Sequence, residues 1–270
     1  MTKNNVDIWH KMRFIAISVL AIAAHFLLSN LLYYFVERLF LDIFHIPVQQ
    51  FMKYSYLGEL LISTVLILVC FIFYKLLWRK EENERHTEAN FKDATVSLIA
   101  GLGVSGISCL WVMLAEQIPA LQRSVEAMNA GAKNIAGGDA FGTFMIAVVA
   151  APIIEEILFR GIVFRSVRKV APAWIAILIS SVLFGAYHLN VVQAIYATLM
   201  GIVAGIVYEK KKNLLFPILV HVANNLIAMV QGFVPSGVDE MINIFVLIMI
   251  IPLGYVIYRL LRHKRVESIS

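Results

Sequence analysis

The chain has 270 residues, 60% of them hydrophobic and 15% charged, with a mean hydropathy of +0.79. That balance excludes a soluble globular domain and specifies a polytopic membrane protein. The formal net charge of +5 does not point to nucleic acid, because the basic residues sit in short loops between apolar runs, where they set orientation.

Lys3, Lys11 and Arg13 precede an apolar run too long for a cleavable signal, so this run is read as a retained first span. Runs able to cross ~30 Å of hydrocarbon are predicted at Phe14–Val36, Leu60–Trp78, Ala94–Ala115, Phe141–Phe159, Ala173–Leu189, Val191–Tyr208, Leu214–Val230 and Ile242–Tyr258. Little more than Asn190 separates the fifth from the sixth. With both termini and the even-numbered loops in the cytoplasm, 19 lysines and arginines fall on that side and four (Arg38, Lys53, Arg123, Lys133) on the other, as the positive-inside rule requires. The expectation is an all-α bundle of about eight transmembrane helices, forming one integral membrane domain over 1–270 with cytoplasmic ends.

Between the spans, Lys80–Asp93 reads as a solvated charged connection. From Glu116 to Asp139, Ile118, Leu121, Val125, Met128, Ala132 and Ile135 alternate by three and four, which predicts an amphipathic surface helix ended by Gly137-Gly138. Ala197, Gly201 and Gly205 line one stripe of the sixth span, where a neighbouring helix can approach closely. Cys70 and Cys109 follow no spacing pattern and read as buried small hydrophobes.

The polar residues that lipid would reject are few: His25, Asn30, Glu155, Glu156, Arg160, His188, His221, Asn224 and Asn225. A charge near the bilayer centre costs roughly 2.5–3.5 kcal/mol on insertion scales, so such residues are functional candidates. Glu155 and Glu156 lie about 100° apart on a helix and cannot point the same way. Arg160, four residues beyond Glu156, suits an i,i+4 ion pair. Glu155 is then left to face the interior as a general base. Pro152, one turn earlier, removes a backbone hydrogen bond and is expected to bend this helix. His188 follows Phe184 by four on one face. His221 and Asn225, also four apart, aim two neutral donors at one point, as oxyanion stabilisation needs. A structural ion pair and an interhelical clasp are the competing readings. A zinc site from Glu155, His188 and His221 is the minority alternative.

Glu-Glu-x-x-x-Arg (Glu155, Glu156, Arg160), Phe-x-x-x-His (Phe184, His188) and His-x-x-x-Asn (His221, Asn225), in that order, resemble the CPBP family of intramembrane proteases, which includes type II CAAX prenyl endopeptidases and bacteriocin-processing and self-immunity (Abi-like) proteins. The resemblance extends through Arg160-Gly161, Phe184-Gly185 and Asn213–Pro217, within a protease core of about 141–230. It implies hydrolysis of a peptide or protein substrate in or beside the lipid bilayer. Glu155 with His188 would activate water, His221 with Asn225 would stabilise the oxyanion, and Glu156 and Arg160 would support the site, with no cofactor favoured and zinc the alternative. It further suggests a bacterial plasma-membrane enzyme acting on a secreted peptide precursor. A non-catalytic scaffold or immunity protein is the alternative from another class, and a transporter a weaker one.

Overall fold

A computed structural model describes residues 3–81, 88–136 and 139–262. All eight predicted apolar runs are helical, and among the described residues there is no strand. We number the helices α1 (Lys3–Arg38), α2 (Val48–Trp78), α3 (Phe91–Ala115), α4 (Gln122–Ala136), α5 (residues 140–168), α6 (Ala173–Tyr187), α7 (Val191–Lys211), α8 (Leu215–Phe233), α9 (Ser236–Ile248) and α10 (Ile250–Arg262). Among the described residues six helices, with α9 and α10 taken together, are long and apolar enough to cross a membrane. The protein is therefore a multi-pass integral membrane protein. The count of eight spans and the cytoplasmic termini stay expectations, which cysteine labelling at the loop positions named above checks.

Helix α3 is the central post, packed against α7, α8, α9 and α10. Its glycines allow this closeness: a Cβ on Gly101 would lie 2.3 Å from the Val220 carbonyl oxygen. The main core joins Ala100 and Val104 of α3 to Leu158, Phe159, Ile162 and Val163 of α5, Phe184 of α6, Met200 and Ala204 of α7 and Phe216 and Val220 of α8. The stripe expected on α7 is used as predicted, with Gly201 against Ser181 and Gly205 against Ile177 of α6. Helix α1 is peripheral. Leu20, Leu27 and Leu31 on it are exposed, a surface that suits lipid.

Two elements differ from the simple prediction. Pro152 cannot donate to a preceding carbonyl, and its ring would collide there. The backbone of α5 widens just before it, over Phe144–Ala150, and the N–H of Ala151 bonds to Ile146 O. A second π-helical segment, Ile157–Phe164, follows and is buried at every residue. Helix α6 has 15 residues, about 22 Å of rise, which is short of the hydrocarbon thickness. His188, next to the end of the run Ala173–Leu189, is accordingly its C-cap. Leu189 then takes a left-handed φ of 56°, and Asn190 caps α7 by accepting from Gln193 N at 3.0 Å.

Helix α4 carries the expected amphipathic face, with Leu121, Val125 and Met128 packed on Trp111, Val112, Ala115 and Val192. Ser124 donates from Oγ to Asn190 Oδ1 (2.8 Å), and Asn190 Nδ2 donates to Ser124 O (2.8 Å). The helix is thus docked on the α6–α7 turn. Gly137-Gly138, and residues 82–87 of the charged run, lie outside the described residues.

Candidate functional site

The site grows from α5. Arg160 Nη1 donates to Glu156 Oε1 at 2.8 Å, and both side chains are completely buried. Burying two charges is unfavourable unless each is paired and further hydrogen-bonded. Arg160 is further held by donating from Nη2 to the Gly201 carbonyl of α7 at 2.9 Å, while its Nε and Glu156 Oε2 are buried without a hydrogen-bond partner. Its guanidinium also stacks over the Phe184 ring, 4.9 Å from the centroid, a contact that strengthens away from water.

The approach is tight at Gly201, where a Cβ would lie 3.0 Å from Ser181 Cβ and 3.1 Å from Arg160 Nη2. Gly201→Ala is expected to destabilise the fold by about 1–3 kcal/mol through overpacking, measured as a lower thermal midpoint of the purified protein. An unchanged midpoint would show that the α6–α7 seam has room to spare.

His221 of α8 enters from the opposite side. Its Nδ1 lies 3.1 Å from Glu156 Oε1, and its Nε2 lies 3.7 Å from Glu155 Oε2. Glu156, as a carboxylate, only accepts, so Nδ1 carries the proton and Nε2 faces Glu155. Glu155 is 19% exposed at the side chain, so it can meet a water or substrate, whereas Glu156 cannot.

Phe184 organises the two imidazoles. The rings of His188 and His221 both stand edge-on to it, at centroid distances of 4.9 and 5.6 Å. His188 Nδ1 bonds to the Phe184 carbonyl at 3.0 Å. A carbonyl only accepts, so this contact fixes the proton on Nδ1 and leaves the Nε2 lone pair free. Asn225 donates from Nδ2 to Ala147 O at 2.9 Å, within the widened segment of α5, and its Oδ1 accepts from Asn224 Nδ2 at 3.2 Å.

The structure thus brings together Glu155, Glu156, Arg160 and His221, with His188 joined to them across Phe184. Asn225 is tied to the same helix as the glutamates, one proline-flanked segment earlier. Sequence reasoning did not find Gly201 O, Ala147 O or the Phe184 ring as a shared platform. The small-residue stripe and the four-residue spacing to His188 were the available signals. Among the described residues no three His, Cys, Asp or Glu side chains form a group able to hold a metal ion.

Fold and site define a class: a multi-pass helical membrane protein built around a buried Glu/Arg/His cluster. Residues 138–227 match the family described as "Type II CAAX prenyl endopeptidase Rce1-like", and every motif residue lies within them. The motif-bearing core is therefore similar to that family over a third of the chain. The chain is 31% identical over 91 residues to "Putative membrane peptidase YdiL" of Bacillus subtilis, covering 34% of this chain and 37% of that protein. It is 33% identical over 100 residues to the "Uncharacterized 24.3 kDa protein" of Escherichia coli, covering 35% and 46%. The similarity therefore spans less than half the length of either relative. No solved structure matches.

Proposed function

We propose that the protein is an intramembrane endopeptidase, hydrolysing a peptide bond of a membrane-associated peptide or protein. The observation that carries this reading is the separation of the two glutamates. Glu156 is sealed between Arg160 and His221, while Glu155 keeps an accessible carboxylate beside an imidazole nitrogen.

In this reading Glu155 takes a proton from water as its oxygen attacks the substrate carbonyl. His188, whose Nδ1–H donates to the Phe184 carbonyl, offers Nε2 to orient that water. Asn225 has a second amide N–H beyond the one given to Ala147, and His221 can carry a proton on Nε2. Both can donate to the tetrahedral oxyanion. Glu155 then returns its proton to the leaving amine as the C–N bond breaks. Glu156, anchored by Arg160, holds the His221 ring. No step requires a metal.

The test is processing of membrane-associated peptides in cells carrying the wild type, Glu155→Gln or His188→Ala, compared by mass spectrometry. Both variants should accumulate uncleaved precursors that the wild type removes. Identical peptide profiles for all three would overturn the proposal and favour a scaffold. Stoichiometric zinc in the purified protein, with cleavage lost on chelation, would instead favour the zinc-dependent form of the same chemistry.

A further inference from the structure

Pro152 changes more than the path of α5. In an α-helix the Ala147 carbonyl would accept from the N–H of Ala151, and in a π-helix from that of residue 152. Neither donor serves it here, because the Ala151 N–H goes to Ile146 O and Pro152 has no N–H. The carbonyl so released is the one that accepts from Asn225 Nδ2 at 2.9 Å. Ala147 lies eight residues before Glu155 on the same helix.

The other end of the Asn225 carboxamide is held as well. Asn224 Nδ2 donates to Asn225 Oδ1 at 3.2 Å. Asn224 Oδ1 in turn accepts from Ser105 Oγ of α3 at 3.4 Å, which turns the Asn224 nitrogen toward Asn225. Asn224 and Ser105 are both buried. A carboxamide offers one acceptor oxygen and two N–H donors. With Oδ1 held by Asn224 and one N–H given to Ala147, a single N–H remains, and bonds at both ends of the planar group fix its direction. Asn225 stands one turn beyond His221 on α8, and His221 Nε2 is 3.7 Å from Glu155 Oε2.

We propose that Pro152 is a positioning residue that acts through Asn225: by denying the Ala147 carbonyl a helical donor, it creates the acceptor that anchors the Asn225 amide and aims its remaining N–H. The consequence for the oxyanion rests on the protease reading; the link between Pro152 and Asn225 does not.

The experiment is a thermal unfolding cycle on the full chain in detergent, with Pro152→Ala, Asn225→Ala and the two combined. Asn225→Ala alone strands the Ala147 carbonyl and should lower the midpoint. Pro152→Ala gives that carbonyl a backbone donor, so in this background Asn225→Ala should lower the midpoint by less than half as much. Equal falls in the two backgrounds overturn the proposal. Pro152→Ala by itself should leave the midpoint no lower than that of the wild type, because alanine restores a helical N–H. In the cell assay it should nevertheless slow precursor removal about tenfold or more. Pro152→Ser, which restores the same N–H with a different side chain, should slow it alike. A fall in midpoint that accompanies the slowing would make the proline structural and overturn the proposal. If Pro152→Ala or Pro152→Ser processes at the wild-type rate while Glu155→Gln does not process, the positioning role is overturned and the protease reading stands. If the midpoints are coupled as expected but Glu155→Gln processes normally, the protease reading falls and the anchoring of Asn225 stands.

Discussion

Replacing Arg160 with methionine is expected to destabilise the protein by about 3–5 kcal/mol, the usual result of stripping one partner from a buried ion pair. The guanidinium is completely buried and serves three groups at once: Glu156 at 2.8 Å, the Gly201 carbonyl at 2.9 Å and the Phe184 ring at 4.9 Å. Without it, Glu156 stays charged in an apolar core with His221 as its remaining partner. The damage follows from the orphaned charge more than from any net strength of the pair. Glu156→Met combined with Arg160→Met should therefore recover much of the loss, because two apolar side chains of similar volume leave no buried carboxylate. Thermal unfolding of the three proteins in the same detergent checks this. A double variant no more stable than Arg160→Met would show that the arginine's own contacts to Gly201 and Phe184, and not the charge pairing, hold the bundle.

Glu155→Gln is expected to do the opposite, leaving the fold intact and removing hydrolysis. The carboxylate is partly exposed and stands 3.7 Å from His221 Nε2, beyond hydrogen-bond distance. An amide of the same shape should then change the folding free energy by no more than about 0.5 kcal/mol. Loss of a general base costs roughly 10²–10⁴-fold in rate. The paired measurement is the unfolding midpoint and the rate of precursor removal in cells. A large fall in midpoint for Glu155→Gln would assign Glu155 to the same structural unit as Glu156, and the proposed division between the two would be lost.

That division was partly legible in the sequence. The four-residue step from Glu156 to Arg160 is a local relation, fixed by helical geometry, and the ion pair is where the step places it. The pairing of His188 with Phe184 has the same origin, although the contact uses the Phe184 carbonyl as well as its ring. The position of His221 was less accessible. Its spacing to Asn225 suggested two donors aimed at one point. In the structure its Nδ1 is held by Glu156 and Asn225 is tied to Ala147, partners 65 and 78 positions away in the chain.

The sequence by itself determined what depends on local periodicity and on the cost of charge in lipid. That covers the apolar runs, the all-helical class, the short set of polar residues within them, the amphipathic face of α4 and the small-residue stripe of α7. Each follows from a repeat of 3.6 residues or from the hydrophobicity of a run, and neither needs knowledge of the neighbours. Tertiary structure alone decided how the Glu156–Arg160 pair is enclosed: the Gly201 carbonyl of α7 accepts from Arg160 at 2.9 Å and His221 of α8 meets Glu156 at 3.1 Å, approaches set by helix packing that no local pattern encodes. It also decided that α6 stops at Tyr187, so that His188 caps a short helix beside the cluster, and that His25, far outside the motif-bearing core, touches Tyr187 there.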